Sequence, residues 1–196
     1  MKAASKGILY CLLSGLFAAG YLIPYKAGAN AVSSEGLVLP MLLCAALFNT
    51  AVGLGRSGFR SLGFDRHSLW VAAALGVLSL VGNEAGAESL ARIDPGIASV
   101  ILRTQVIFVA VGGWLLMGER TNLRFWVGVL IAGGGYVFMQ SNAFLSSGMA
   151  FAGMWWALLA ASCFAGMQVL TRYTIDRIDI IQVNTLRLWL AVLILA

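Results

Sequence analysis

Glu84, Glu88 and Arg103 are ionisable side chains set inside long apolar runs of this 196-residue chain. An ionised group in hydrocarbon costs on the order of 2.5–3.5 kcal/mol on insertion scales, so those that persist are paired or line a cavity. Glu84 and Glu88 are one helical turn apart and share a helix face. Arg103 follows Pro95 by eight residues, roughly 12 Å along a helix at 1.5 Å per residue. Glu84 sits at a similar depth on the antiparallel neighbouring segment. The two either form an ion pair or face a substrate together; the alternative for the glutamates is a solvated outer vestibule.

Other polar groups cluster near these charges. Asn83 adds an amide beside Glu84, and Thr104 and Gln105 follow Arg103. Gln105 serves either a solute or an interhelical hydrogen bond. Tyr21 and Tyr25 form a polar-tipped stripe one turn apart on the first span, where Pro24 is a kink candidate, or else an interfacial aromatic belt. Such residues suit recognition of a small solute. A membrane carboxylate with a raised pKa also carries a proton, which leaves proton coupling through Glu84 or Glu88 open. The expected substrate contacts are therefore Glu84, Arg103, Asn83, Glu88, Gln105 and Tyr21.

Catalysis is not expected. The one histidine, His67, lies in a basic loop, and no His-Glu-x-x-His pattern occurs. A Walker-type loop to harness ATP is also missing from the sequence. Cys11, Cys44 and Cys163 are dispersed without metal-ligand spacing, so no metal or other cofactor is expected.

The elements that position these residues are apolar throughout. The chain is 60% hydrophobic and 11% charged, and segments near 7–27, 36–54, 69–90, 95–117, 124–141, 149–171 and 178–196 each match a membrane span. A hydrocarbon core of ~30 Å takes about 20 such residues. The stretch from Leu69 to Gly82 is only 14 residues, too short to cross, so the third helix should continue to about Leu90. A soluble helical domain would need polar faces that Val106–Met117 and Gly128–Met139 lack. The 23 glycines suit close helix approach in a bilayer. Gly82 with Gly86, and Gly133-Gly134-Gly135 on the fifth span, are the candidates for it.

Charge gives an orientation. With the N-terminus cytoplasmic, the inner loops hold Lys2, Lys6, Arg56, Arg60, Arg66, Arg120, Arg124, Arg172 and Arg177, and the outer loops only Lys26 and Arg92. Arg103 and Arg187 lie within spans. The net charge of +5 is thus topological rather than a nucleic-acid signature. The first apolar run is too long for a signal peptide and reads as a retained span.

A shift of 146 residues lays Leu12, Leu13, Ala19 and Gly20 over Leu158, Leu159, Ala165 and Gly166. A five-span repeat must enter the membrane inverted, the arrangement of alternating-access transporters. Residues 1–143 read as the first repeat, and 144–196 as the first two helices of an incomplete second one. The apolar run reaching Ala196 without a polar flank reads as a truncated sequence.

Wording within the spans resembles the EamA-like domain of the drug/metabolite transporter superfamily. The resemblance rests on Ala91-Arg-Ile-Asp-Pro-Gly-Ile-Ala-Ser-Val-Ile-Leu-Arg-Thr-Gln105 and on the helix ending Gly118-Glu119-Arg120. The glycine-rich run from Trp126 to Tyr136 and the segment Asn184-Thr-Leu-Arg187 extend it over essentially the whole chain. Pro40-Met41 stand where the second copy has Leu186-Arg187, a departure from the family pattern. The resemblance implies an all-α polytopic membrane protein from a ten-helix fold with about seven helices here. It also implies a secondary transporter that moves metabolites, amino acids or drugs, often outward. The alternative is a non-transporting or partner-dependent half-transporter. Expected partners are a small-molecule solute and the lipid bilayer, without nucleic acid; a homo-oligomer stays open. The expected location is the bacterial inner membrane.

Overall fold

A computed structural model of the chain describes residues 3–32, 34–57, 66–118, 122–140, 148–176 and 179–196. All regular structure among them is α-helical: α1 (Ala3–Ala31), α2 (Ser34–Ser57), α3 (Arg66–Arg92), α4 (Pro95–Arg103), α5 (Gln105–Met117), α6 (Leu123–Gln140), α7 (Gly148–Thr174) and α8 (Ile180–Leu195). Gly36–Arg56, Arg66–Arg92, Pro95–Met117 and Phe151–Thr174 are long and apolar enough to cross a membrane, and Leu123–Gly135 and Ile180–Leu195 are shorter apolar helices.

α3 runs unbroken through Gly82 to Arg92, as span arithmetic requires. It is the axis of the bundle and packs most closely on α7, then on α8, α1 and α2. The α3–α7 seam is made of small side chains. Ala157, Ala160, Ala161 and Ala165 recur along one face of α7 and are almost wholly buried. Across that seam, a Cβ on Gly82 would stand 3.0 Å from the Phe164 ring and 3.1 Å from Cys163 Cβ. Close backbone approach of this kind supplies the van der Waals contact that joins helices when lipid competes for every apolar surface. Gly86 is buried but has open space at its Cβ position, and Gly133, Gly134 and Gly135 are exposed with nothing near them. Among the described residues, the fifth span does not use its glycines for packing, because α6 touches the rest of the bundle only lightly.

The fourth apolar segment is two helices rather than one. α4 begins where the Asp94 carboxylate accepts from Gly96 N at 2.8 Å and Pro95 takes the first helical position. At Thr104 the pattern tightens: its N–H reaches Ile101 O at 2.9 Å and its hydroxyl donates to the same carbonyl at 2.7 Å. The break is a single 3₁₀-like turn, a common device for redirecting a helix. α5 ends at Gly118, whose φ of 67° is the left-handed conformation that a glycine cap supplies without strain.

Polar side chains lock other helix pairs. Trp189 Nε1 donates to Thr50 Oγ1 at 2.9 Å, joining α8 to α2, and that hydroxyl donates onward to Ala46 O at 2.7 Å. Lys26 Nζ donates to Ile93 O at 3.1 Å, placing a cation just past the C-terminus of α3, where the helix dipole favours one.

Candidate functional site

The expected site residues divide between two ends of the bundle. At one end, Asn83 Nδ2 donates to Ser79 O at 2.7 Å, a bond within α3. Tyr25 is 6% exposed and its hydroxyl donates to Asn83 O at 3.2 Å. Tyr25 is therefore not a belt residue: it fastens α1 to α3. Glu88 accepts from Arg92 Nη2 at 2.6 Å in a partly exposed pair one turn long. Glu84 is half-buried on the same helix. The side chain of Tyr21, on α1, and residues Glu119 and Arg120 lie outside the described residues.

Arg103 is exposed and lines a cavity of about 450 Å³ with Arg124, Phe125 and Val129 of α6. α3 contributes nothing to that cavity, so the structure does not set Arg103 against Glu84. Nor does it share a site with Gln105. Two residues apart on a helix point about 200° from one another, and the turn at Thr104 keeps them apart. Gln105 instead looks across to α7 and α8.

There it meets an open recess with several polar side chains in its wall. A cavity of about 500 Å³ is walled by Gln105, Phe164, Met167, Gln168 and Arg187, with Arg172 and Ile175 toward one end. A second, of about 180 Å³, adjoins it and adds Leu75 of α3 with Val183 and Asn184 of α8. Thr171 and Arg187 line both.

Arg187 is the residue that sequence reasoning missed. It is half-buried at the middle of α8, and its Nη1 meets the Met167 sulfur at 3.9 Å. Its Nε is buried with no hydrogen-bond partner among the described residues. The signal was the one applied to Arg103: a cation inside an apolar run. What the sequence alone did not supply was the convergence of α3, α5, α7 and α8 around it. Gly76 permits that convergence, since a Cβ there would lie 3.1 Å from Arg187 O.

Among the described residues, no three His, Cys, Asp or Glu side chains gather as a metal site would require. His67 and Cys44 are exposed, and Cys163 is buried in the α3–α7 seam.

Apolar membrane-length helices, seams of small residues and interhelical polar locks define a polytopic α-helical membrane protein. Within that class, residues 5–140 match the EamA-like transporter family, and the chain belongs to it. It is thus a multipass membrane protein of a family of solute transporters, with the lipid bilayer and a small-molecule solute as its partners. A comparison with curated proteins gave no match.

Proposed function

We propose that the protein is a secondary transporter that moves small organic metabolites or drugs, amino acids and related solutes among them, outward across the bacterial inner membrane by alternating access. The observation that carries this reading is the open recess of about 500 Å³ among α5, α7 and α8, where Gln105, Gln168, Thr171, Arg172 and Arg187 gather on otherwise apolar helices. Polar lining is costly in a membrane bundle unless water or a solute uses it. In this reading residues 1–143 are one five-helix repeat and 144–196 open a second, inverted one, so the cavity lies where two repeats meet. The N-terminus is cytoplasmic, which sets Arg172 and its end of the recess toward the cytoplasm. Gln105 contacts the solute in the cavity; Asn83, Glu84 and Glu88 line its path toward the outer face, and Glu84 or Glu88 is the candidate proton carrier. Tyr21 remains an expected contact in the opposite conformation, whereas Arg103, exposed in the groove beside α6, stands outside the proposed solute path.

Counterflow in proteoliposomes tests this reading. Vesicles holding the full chain and loaded with a mixed pool of unlabelled amino acids and organic solutes should accumulate at least one labelled member faster than protein-free vesicles. Accumulation by neither the chain alone nor any variant refutes autonomous transport; exchange restored only by a second EamA-like chain assigns it to a partner-dependent half. Glu84→Gln or Glu88→Gln should abolish stimulation by an imposed pH gradient, and unchanged stimulation in both removes the proton-coupling proposal.

A further inference from the structure

The transporter reading leaves open which solutes the cavity takes, and the chemistry around Arg187 narrows it. A guanidinium carries five N–H donors and is always charged. Among the described residues, the hydrogen-bond acceptor that Arg187 meets is a thioether, at 3.9 Å, and its buried Nε has none. Among the described residues, the side chains lining its two cavities are Gln105, Gln168, Thr171, Asn184, Arg172 and apolar groups, with no carboxylate. Amides and hydroxyls orient dipoles toward a cation but do not neutralise it. A charge held in a low-dielectric interior is offset well only by an opposite charge with matched hydrogen bonds.

We infer that Arg187 is the anion-recognition residue of this cavity and that its ligand is a small organic carboxylate with an apolar side group. A planar carboxylate accepts two parallel N–H bonds from a guanidinium, and this pairing is both stronger and more directional than a neutral one. Gln105, Gln168 and Thr171 surround the same space and suit the remaining polar atoms of such a solute. Phe164, Met167 and Ile175 form an apolar wall for its side group. The guanidinium is also well placed to act: Gly76 brings α3 against the α8 backbone at Arg187 itself, so the helix that carries it is held rigidly. An amine would meet a like charge here, and a neutral solute would leave the guanidinium uncompensated.

This inference rests on the transporter reading, and one set of probes separates the two. The full chain in proteoliposomes is assayed for saturable binding of labelled phenylacetate, phenylacetamide and phenethylamine, which share a ring and differ in head-group charge. Phenylacetate should bind at least tenfold more tightly than either analogue. Arg187→Gln should erase that preference, Arg187→Lys should keep part of it, and Arg103→Gln should keep all of it. Equal or tighter binding of the amide or amine, no binding of phenylacetate, or an undiminished preference in Arg187→Gln overturns the inference. Counterflow of neutral or cationic solutes without a carboxylate preference leaves the transporter reading standing while this inference falls. Arg187-dependent phenylacetate binding without counterflow of any solute does the reverse. If Arg187→Gln does not reconstitute, the Arg187→Lys and Arg103→Gln pair decides: equal preference in both overturns the inference.

Discussion

Arg103 and Arg187 both interrupt apolar segments, yet the fold treats them differently. Arg103 ends α4 beside a one-residue break and stands exposed in a groove shared with Arg124 of α6. Arg187 sits mid-helix in α8, turned inward among α3, α5 and α7, with a sulfur for its acceptor. Charge inside a span is therefore only half of the signal for a site. The other half is whether neighbouring helices close round the charge without neutralising it. The far end of α3 makes the same point from the opposite side. Asn83, Tyr25, Glu88 and Lys26 all have protein partners there and serve to tie helices together or to brace one helix.

The sharpest way to break the comparison is to remove each arginine's charge. Arg187→Gln should weaken carboxylate binding by about 10- to 100-fold, matching the ~1.5–3 kcal/mol of a charge-assisted hydrogen bond. Arg103→Gln should change it less than about twofold. Thermal unfolding adds a second contrast: Arg187→Gln should not destabilise the protein, because it removes a half-buried charge that has no carboxylate partner among the described residues. A large loss of stability would mean that the guanidinium is a structural strut.

Glycines offer a comparable pair. Gly82→Val places a methyl group against Phe164 and Cys163 and should cost about 1–3 kcal/mol of stability through overpacking. Gly133→Ala meets nothing within 4 Å and should be neutral or stabilising by up to about 1 kcal/mol, since alanine is the better helix former. Equal effects would show that α6 packs more tightly than the structure has it.

Smaller effects test the polar ties. Thr50→Val removes the acceptor of the Trp189 indole and should cost about 0.6 kcal/mol, the average for an interhelical hydrogen bond in a membrane. Glu88→Gln should cost no more than about 0.5 kcal/mol and weaken solute binding far less than Arg187→Gln does, because its pair with Arg92 is exposed and local. A greater effect of Glu88→Gln on binding than of Arg187→Gln would invert the assignment of the two ends.

Much of the fold follows from counting. Seven apolar segments of span length mark where the helices lie, and the shortfall of Leu69–Gly82 against hydrocarbon thickness carries α3 on past Glu88. The break at Thr104 was not legible, because neither proline nor glycine marks it; the tightening comes from a threonine hydroxyl bonding back to Ile101 O. Tyr25 was ambiguous for a related reason. An aromatic near a helix end suits a belt until a second helix is known to cover it, and α3 does so here. The site was legible in kind but not in place. Gln105 was found by its polarity in an apolar run, whereas Arg187 needed four helices to be assembled before its setting differed from that of Arg103.

The most direct test of this account is solute counterflow by the full chain reconstituted beside its Arg187→Gln and Arg103→Gln variants, with a labelled carboxylate as tracer. The account predicts exchange by the parent chain and by Arg103→Gln, and none above protein-free vesicles by Arg187→Gln. Exchange by Arg187→Gln at the parent rate would contradict it.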